Sequence, residues 1–195
     1  PKGVVINEPF LAYHWANAKG SALFPQTIIV AEESSEVSLV DIYNSHGEDS
    51  AGFSIATAAT YAADNAKVSR ITLQNWNEKT TSFQLDSTFV GKDTQTKAVA
   101  VNLGSSRARF ENQLVINGAG ADARLHSLTV SDEKQEFDQR THQHHGAPNA
   151  VSDLLYKNAL TGSSKTIFSG MILVDKVAQK TDAYQTNRNL ILSDS

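Results

Sequence analysis

The sequence predicts an all-β protein, and within that class a β-solenoid ahead of a sandwich or a barrel. Three observations predict it. Turn residues recur at nearly even spacing: Gly91, Gly104, Gly118, Asp132 and Gly146 stand 13, 14, 14 and 14 positions apart. Short alternating runs lie between them, as in a stack of many short strands. Small residues fall at inward-looking positions (Ala98, Ala100, Ala108, Ala119, Ala121, Ala123), which crowded coil corners require. Hairpin signals are scarce, Asn117-Gly118 being the only Asn-Gly or Asp-Gly pair in the chain. Periodicity alone leaves the sandwich open, because that fold also stacks short strands.

Residues 1–26 read as an irregular lead-in. Val4 to Ile6 fits a short strand, Phe10 to Trp15 a helical turn or a loop, and Pro9 and Pro25 bracket the region. From Thr27 the pattern changes. Thr27 to Ala31 is rich in β-branched residues, Glu32 to Glu36 is a polar turn, and Val37 to Tyr43 is strand again. The same alternation runs through 53–57, 68–73, 82–85, 98–101, 107–110, 113–116, 124–130, 136–139 and 166–174. Alternation sends one set of side chains inward and the other outward. The alanine-rich stretch 56–66 has helix propensity, but Thr57, Thr60 and Tyr61 interrupt it between two strand-like runs. It is expected to be a strand or loop with small inward residues.

Composition limits function. With 195 residues, 40% of them hydrophobic and 19% charged, the chain fits one folded domain spanning residues 1–195. A net charge of -4 argues against a nucleic-acid or anionic-membrane surface, which would favour a basic stripe. Cysteine is absent, so this chain offers no disulfide and no thiolate ligand for zinc or an iron–sulfur cluster. With no signal-peptide pattern and no membrane-length apolar run, a cytoplasmic protein is expected. The start at Pro1 and the stop at Ser195, just after an apolar run, suggest a core cut from a longer polypeptide.

The one histidine cluster is His142-Gln143-His144-His145. On a strand, His142 and His144 share one face and His145 takes the other. Two imidazoles at i and i+2 can co-ligate a metal, with Asp138 as a third donor on the same face. The plainer reading is a pair lining a solvated or interface face beside Gly146. No metal site is expected; His142 and His144 are the nearest approach to one. Other chemistry lacks its motif. There is no Gly-x-Ser-x-Gly elbow. Gly91-Lys92-Asp93 lacks the upstream Gly and following hydroxyl of a phosphate loop, and Gly118 to Ala123 lacks the third glycine of a dinucleotide turn. Gly162 to Lys165 reads as a coil corner, and Trp15 and Trp76 as packing residues. No catalytic residue is expected.

Several stretches carry a resemblance. Pro1 to Val5, Thr27 to Asp41 (TIIVAEESSEVSLVD), Ile71 to Trp76 (ITLQNW), Leu103 to Phe110 (LGSSRARF) and Gly118 to Ala123 (GAGADA) are similar, in order, to segments of the SufB/SufD family. So are Asp138 to Arg140, Lys157, Gly162 to Lys165, Phe168 to Ile172, Lys180 to Asn187 and Leu190 to Asp194. This family belongs to the SUF iron–sulfur cluster assembly machinery. The resemblance implies a right-handed parallel β-helix, a truncated core of a larger protein. It also implies a scaffold role beside a SufB-type subunit and the SufC ATPase. An iron–sulfur cluster is implied for the full complex, and no cofactor for this fragment. Absence of cysteine and the stretch Thr186 to Asp194 (TNRNLILSD) look more SufD-like than SufB-like. The family's Cys/His-Gly-Ala segment and its flanking helical domains have no counterpart in these residues. An open end of the solenoid would present unpaired backbone for self-association. A different class also fits a β-helix: a polysaccharide-acting enzyme. That enzyme needs aligned carboxylates, whereas Glu32, Glu33, Glu36, Asp132 and Glu133 fall mainly at turns.

Overall fold

The computed structural model describes residues 1–16, 19–45 and 52–193. Among these residues all regular structure is strand: β1 (Phe10–Ala16), β2 (Ser21–Leu23), β3 (Gln26–Ala31), β4 (Glu36–Ser45), β5 (Gly52–Ala62), β6 (Lys67–Asn75) and β7 (Thr81–Val90), then β8 (Gln95–Asn102), β9 (Arg107–Ile116), β10 (Asp122–Ser131), β11 (Glu136–His145), β12 (Val151–Leu160), β13 (Lys165–Val174) and β14 (Asp182–Ile191). One parallel sheet runs β1-β4-β6-β8-β10-β12-β14. The other runs β13-β11-β9-β7-β5-β2, with β3 also on β5. From β4 onward successive strands alternate between the sheets, so each coil contributes one strand to each and the chain climbs as a β-solenoid.

Register fixes the repeat. Glu36 pairs with Lys67, Lys67 with Gln95, Gln95 with Asp122, Asp122 with Val151 and Val151 with Asp182, giving coils of 31, 28, 27, 29 and 31 residues by subtraction. The 13- and 14-residue turn spacing read from the sequence is therefore half a coil. One corner of every coil is built alike. Gly3, Ser34, Asn65, Asp93, Gly120, Asn149 and Lys180 all have φ between 52° and 72°, and from Ser34 to Lys180 each stands two residues before its strand. Each except Lys180 donates its amide to a carbonyl one coil on, for example Asn65 N to Lys92 O at 2.8 Å and Asp93 N to Ala119 O at 2.9 Å. A left-handed residue is the means by which the chain reverses there, and Gly, Asn and Asp adopt that conformation at least cost.

The core lies between the sheets and mixes apolar and polar rows. Val90, Leu114, Ile116, Ala121, Ala123 and Ala150 form one dry cluster, and Phe110 with Phe137 and Ala108 another. Beside them runs an amide–hydroxyl ladder. Asn102 Nδ2 donates to Thr129 Oγ1 at 3.2 Å, Gln139 Nε2 to Thr129 Oγ1 at 2.7 Å and to Asn158 Oδ1 at 3.0 Å, and Asn158 Nδ2 to Asn189 Oδ1 at 2.8 Å. Parallel in-register coils place like positions one above another. A buried amide in one coil thus meets its partner in the next, which offsets the cost of burying it.

The lead-in differs from expectation. Phe10 to Trp15 is neither helical turn nor loop: it lies in β1, paired in parallel with β4 from Phe10↔Leu39 to Ala16↔Ser45. Residues 21–23 form β2, and Val4 to Ile6 holds only a single bridge, Val5 to Glu36. Pro25 has no amide to donate, so β2 and β3 stay separate, while its carbonyl accepts from Thr57 N at 2.9 Å. The alanine-rich stretch is strand β5, with Ala56, Ala58 and Ala62 buried.

Candidate functional site

The histidines divide across β11 as strand geometry requires. His145 points inward and is fully buried. Its Nε2 lies 2.9 Å from Ser152 Oγ, while its Nδ1 has no protein partner. Burial, and to a smaller degree His144, holds its pKa below the ordinary imidazole value. His142 and His144 share the outer face, rings stacked at 14° with centroids 6.3 Å apart. His144 Nε2 is 3.1 Å from Asp175 Oδ2. The third donor considered from sequence is engaged elsewhere: Asp138 takes Arg140 Nε at 3.1 Å and Arg109 Nη1 at 3.3 Å. No group of three or more His, Cys, Asp or Glu side chains able to hold a metal occurs among the described residues.

Other motif residues take structural places. Gly162 is a left-handed corner (φ 63°) beneath Glu133. Trp76 is buried against Tyr43, ring centroids 6.0 Å apart, whereas Trp15 stands half exposed on the outer face of β1. Of the acids named from sequence, Glu33 and Glu36 pair with Lys2 and Lys67.

The most concentrated electrostatic feature was not legible in the sequence. Asp41 on β4 is fully buried. Its Oδ2 accepts from Arg70 Nε at 2.8 Å, and its Oδ1 lies 3.3 Å from His14 Nε2 and 3.4 Å from Thr27 Oγ1. Arg70, on β6, reaches across the interior to Asp86 of β7 in the other sheet, Nη1 to Oδ2 at 3.0 Å; Gln84 Nε2 adds a bond to the same oxygen at 3.1 Å. His14 stacks on Tyr43 at 4.4 Å. Burial pushes the Asp86 carboxyl above the usual range, opposed by Arg70. Burial also works against the Arg70 charge, but Asp86 and Asp41 outweigh it and hold the guanidinium protonated. Two carboxylates sharing one guanidinium tie the sheets together. Asp41 is already saturated by Arg70, His14 and Thr27, so the group is arranged for cohesion rather than for activating a nucleophile.

These residues lie 27, 29 and 16 positions apart (14, 41, 70, 86) and meet only through coil register. The missed signal was a charged residue at inward parity. It is masked because β4 is apolar on both faces, Leu39 and Tyr43 flanking Asp41 inside while Val40 and Ile42 flank it outside, and because β6 turns Arg70, Thr72 and Gln74 inward while Ile71 and Leu73 face outward. Where the chain opens at its first coil, an apolar cleft of about 450 Å³ is lined by Val4, Ile6, Phe10, Ile29 and Leu39, with His14 among its polar groups. No helix among the described residues is long and apolar enough to cross a membrane.

A family model described as SUF system FeS cluster assembly, SufBD core domain, matches residues 14–195. The chain is 31% identical over 138 residues to an iron–sulfur cluster assembly SufBD family protein of Mycobacterium tuberculosis, covering 67% of this chain and 35% of the relative. It is 26% identical over 178 residues to one from Synechocystis sp., covering 87% and 39%. With one from Staphylococcus epidermidis it shares 26% over 172 residues, covering 88% and 37%. The chain thus spans little more than a third of the length of these relatives.

Proposed function

Because the chain belongs to the SufBD core family of the SUF system for iron–sulfur cluster assembly, we propose that it serves there as a non-catalytic, SufD-like scaffold. It acts in the cytoplasm with a SufB-type subunit and the SufC ATPase. The observation that carries this reading is the extent of the family match, residues 14–195, along one parallel solenoid. A chain without cysteine supports the SufD side of the family, since thiolate is the ordinary protein ligand of such clusters. The cluster is the cargo of the whole assembly. The paired state of the outer-face charges supports a scaffold over a polysaccharide-acting enzyme. Asp138 is held by two arginines and Glu111 by Arg109, whereas glycoside hydrolysis needs two carboxyl groups free to work on one bond.

Co-purification of the full-length parent with its SufB-type and SufC partners tests the reading. A stable complex is expected, and three proteins that elute separately would refute it.

A further inference from the structure

Outward positions of the sheet that begins with β1 fall into rows, because coils in register set like positions one above another. Two neighbouring rows are apolar. One runs Leu11, Val40, Ile71 and Val99, and the other Tyr13, Ile42, Leu73, Val101 and Leu128. The inward neighbours Asp41, Arg70, Thr72 and Thr129 are buried, whereas Leu11, Tyr13, Ile71 and Leu128 are exposed. His126 of β10 is the one polar interruption of the first row before Leu155 of β12. The other sheet covers β9 and β11 differently: Arg107 pairs there with Glu136, and Arg109 and Arg140 with Asp138. A contiguous exposed apolar strip marks a place where another segment packs.

Shape and charge select the occupant. Strands about 4.8 Å apart, with outward residues about 7 Å apart along each, make the strip roughly 24 Å long and about 13 Å wide, or about 300 Å². Each partner in a standard interface gives about 800 Å², so the strip is too small to hold two copies of this chain together. Its proportions are those of one helix, about 10–12 Å across and about 16 residues long. The strip is the face of strands whose amides are already paired in the sheet, so it meets side chains, whereas an added strand needs a free edge. Along one margin the next outward row runs Ser38, Ser69, Lys97 and Arg124. Arg124 is held by Asp122 at 3.0 Å. Lys97 is exposed and has no ion-pair partner among the described residues. The opposite margin is uncharged at Asn44 and Asn75.

We propose that this strip is the docking site for an amphipathic helix of a partner protein, with one acidic margin set against Lys97. Its apolar stripe, the i, i+3, i+4, i+7 set, lies along the two rows. Because only one margin of the strip is charged, Lys97 orients the helix as well as holding it.

Three synthetic peptides of about 16 residues, titrated against the chain of residues 1–195 by fluorescence anisotropy, test this. The first has a leucine stripe with glutamates along one margin, the second has lysines in place of those glutamates, and the third spreads the leucines of the first around the helix. The first is expected to bind at least about tenfold more tightly than either other. Ile71→Thr with Val99→Thr keeps β-branched side chains on the strands. That variant should weaken the first peptide by about tenfold at an unchanged urea midpoint, and Lys97→Glu should reverse the order of the first two. Equal binding of the first and third peptides to the parent chain, or binding of none, overturns the proposal whatever the variants do. So does an order of the first two that Lys97→Glu leaves unchanged. Sedimentation as a dimer that the threonine variant dissolves would make the strip a self-contact. Capture by phosphatidylcholine vesicles that the same variant loses would make it a lipid face; either result overturns the proposal as well.

Discussion

Arg70 is the side chain on which the interior charge balance depends. Removing one member of a buried ion group leaves its partners uncompensated, at about 3–5 kcal/mol. Arg70→Met is therefore expected to lower unfolding free energy by about that amount, read from the urea midpoint. Adding Asp41→Asn and Asp86→Asn to it restores most of the loss, because no lone charge then remains inside. His145 gives a pH signature. Its folded pKa is depressed by burial, so the folded chain binds fewer protons than the unfolded one below about 6.5. Its contribution to stability is complete above that value and is lost as pH falls below it. Melting temperature should drop across that range in the parent, and the His145→Gln variant, whose amide can either donate to or accept from Ser152, should show a shallower drop. On the outer face, His144 is bound to Asp175 and Asp138 to two arginines. Zinc in tenfold excess is expected to leave the melting temperature unmoved; a rise of several degrees would reveal a site at His142 and His144. The parity split of these histidines was legible, because a strand allows no other arrangement. The ion chain was not, because β4 is apolar on both faces and β6 carries Arg70, Thr72 and Gln74 inward with Ile71 and Leu73 outward, the reverse of the usual arrangement.

At the scale of the element, turns were more legible than strands. Gly118 shows why: a Cβ there would overlap the backbone of Gly91 and Lys92 in the adjoining coil, so the corner accepts nothing larger. Gly118→Ala should cost about 1–3 kcal/mol by overpacking, seen as an earlier urea midpoint with an unchanged slope. The strands of residues 107–110 and 113–116 read as two runs, yet β9 is one strand through Glu111 and Asn112. Those polar residues fit because Glu111 faces outward to Arg109 and Asn112 donates to Tyr156 Oη at 2.9 Å. β1 escaped notice for a related reason. Its alternation sets Leu11, Tyr13 and Trp15 against Phe10, Ala12, His14 and Ala16, bulky residues on both sides, and only its pairing with β4 tells which side is inside.

For the whole molecule, stacking of like positions predicts that a coil can be removed cleanly. Deleting residues 122–150, 29 residues and one full coil by register, brings Asn102 onto Asn158, Phe110 onto Phe168 and Leu114 onto Ile172. The amide ladder and the aromatic stack both continue. The shortened chain should fold with the same β-type circular dichroism and a smaller denaturant slope, since that slope follows the surface exposed on unfolding. A chain that is unfolded or aggregated would show that the coils are not interchangeable. The solenoid was legible from turn spacing, whereas the pairing partner of each strand was not, because nothing within a strand records which strand lies 27 to 31 residues away. That distance has its own consequence in time. Each closure during folding joins points separated by nearly the same length of chain, so every coil after the first meets the same entropic barrier and lands on an edge already formed. Folding of this chain is then governed by how fast any two coils first meet, after which growth proceeds like a zipper, at a pace nearly independent of how many coils follow.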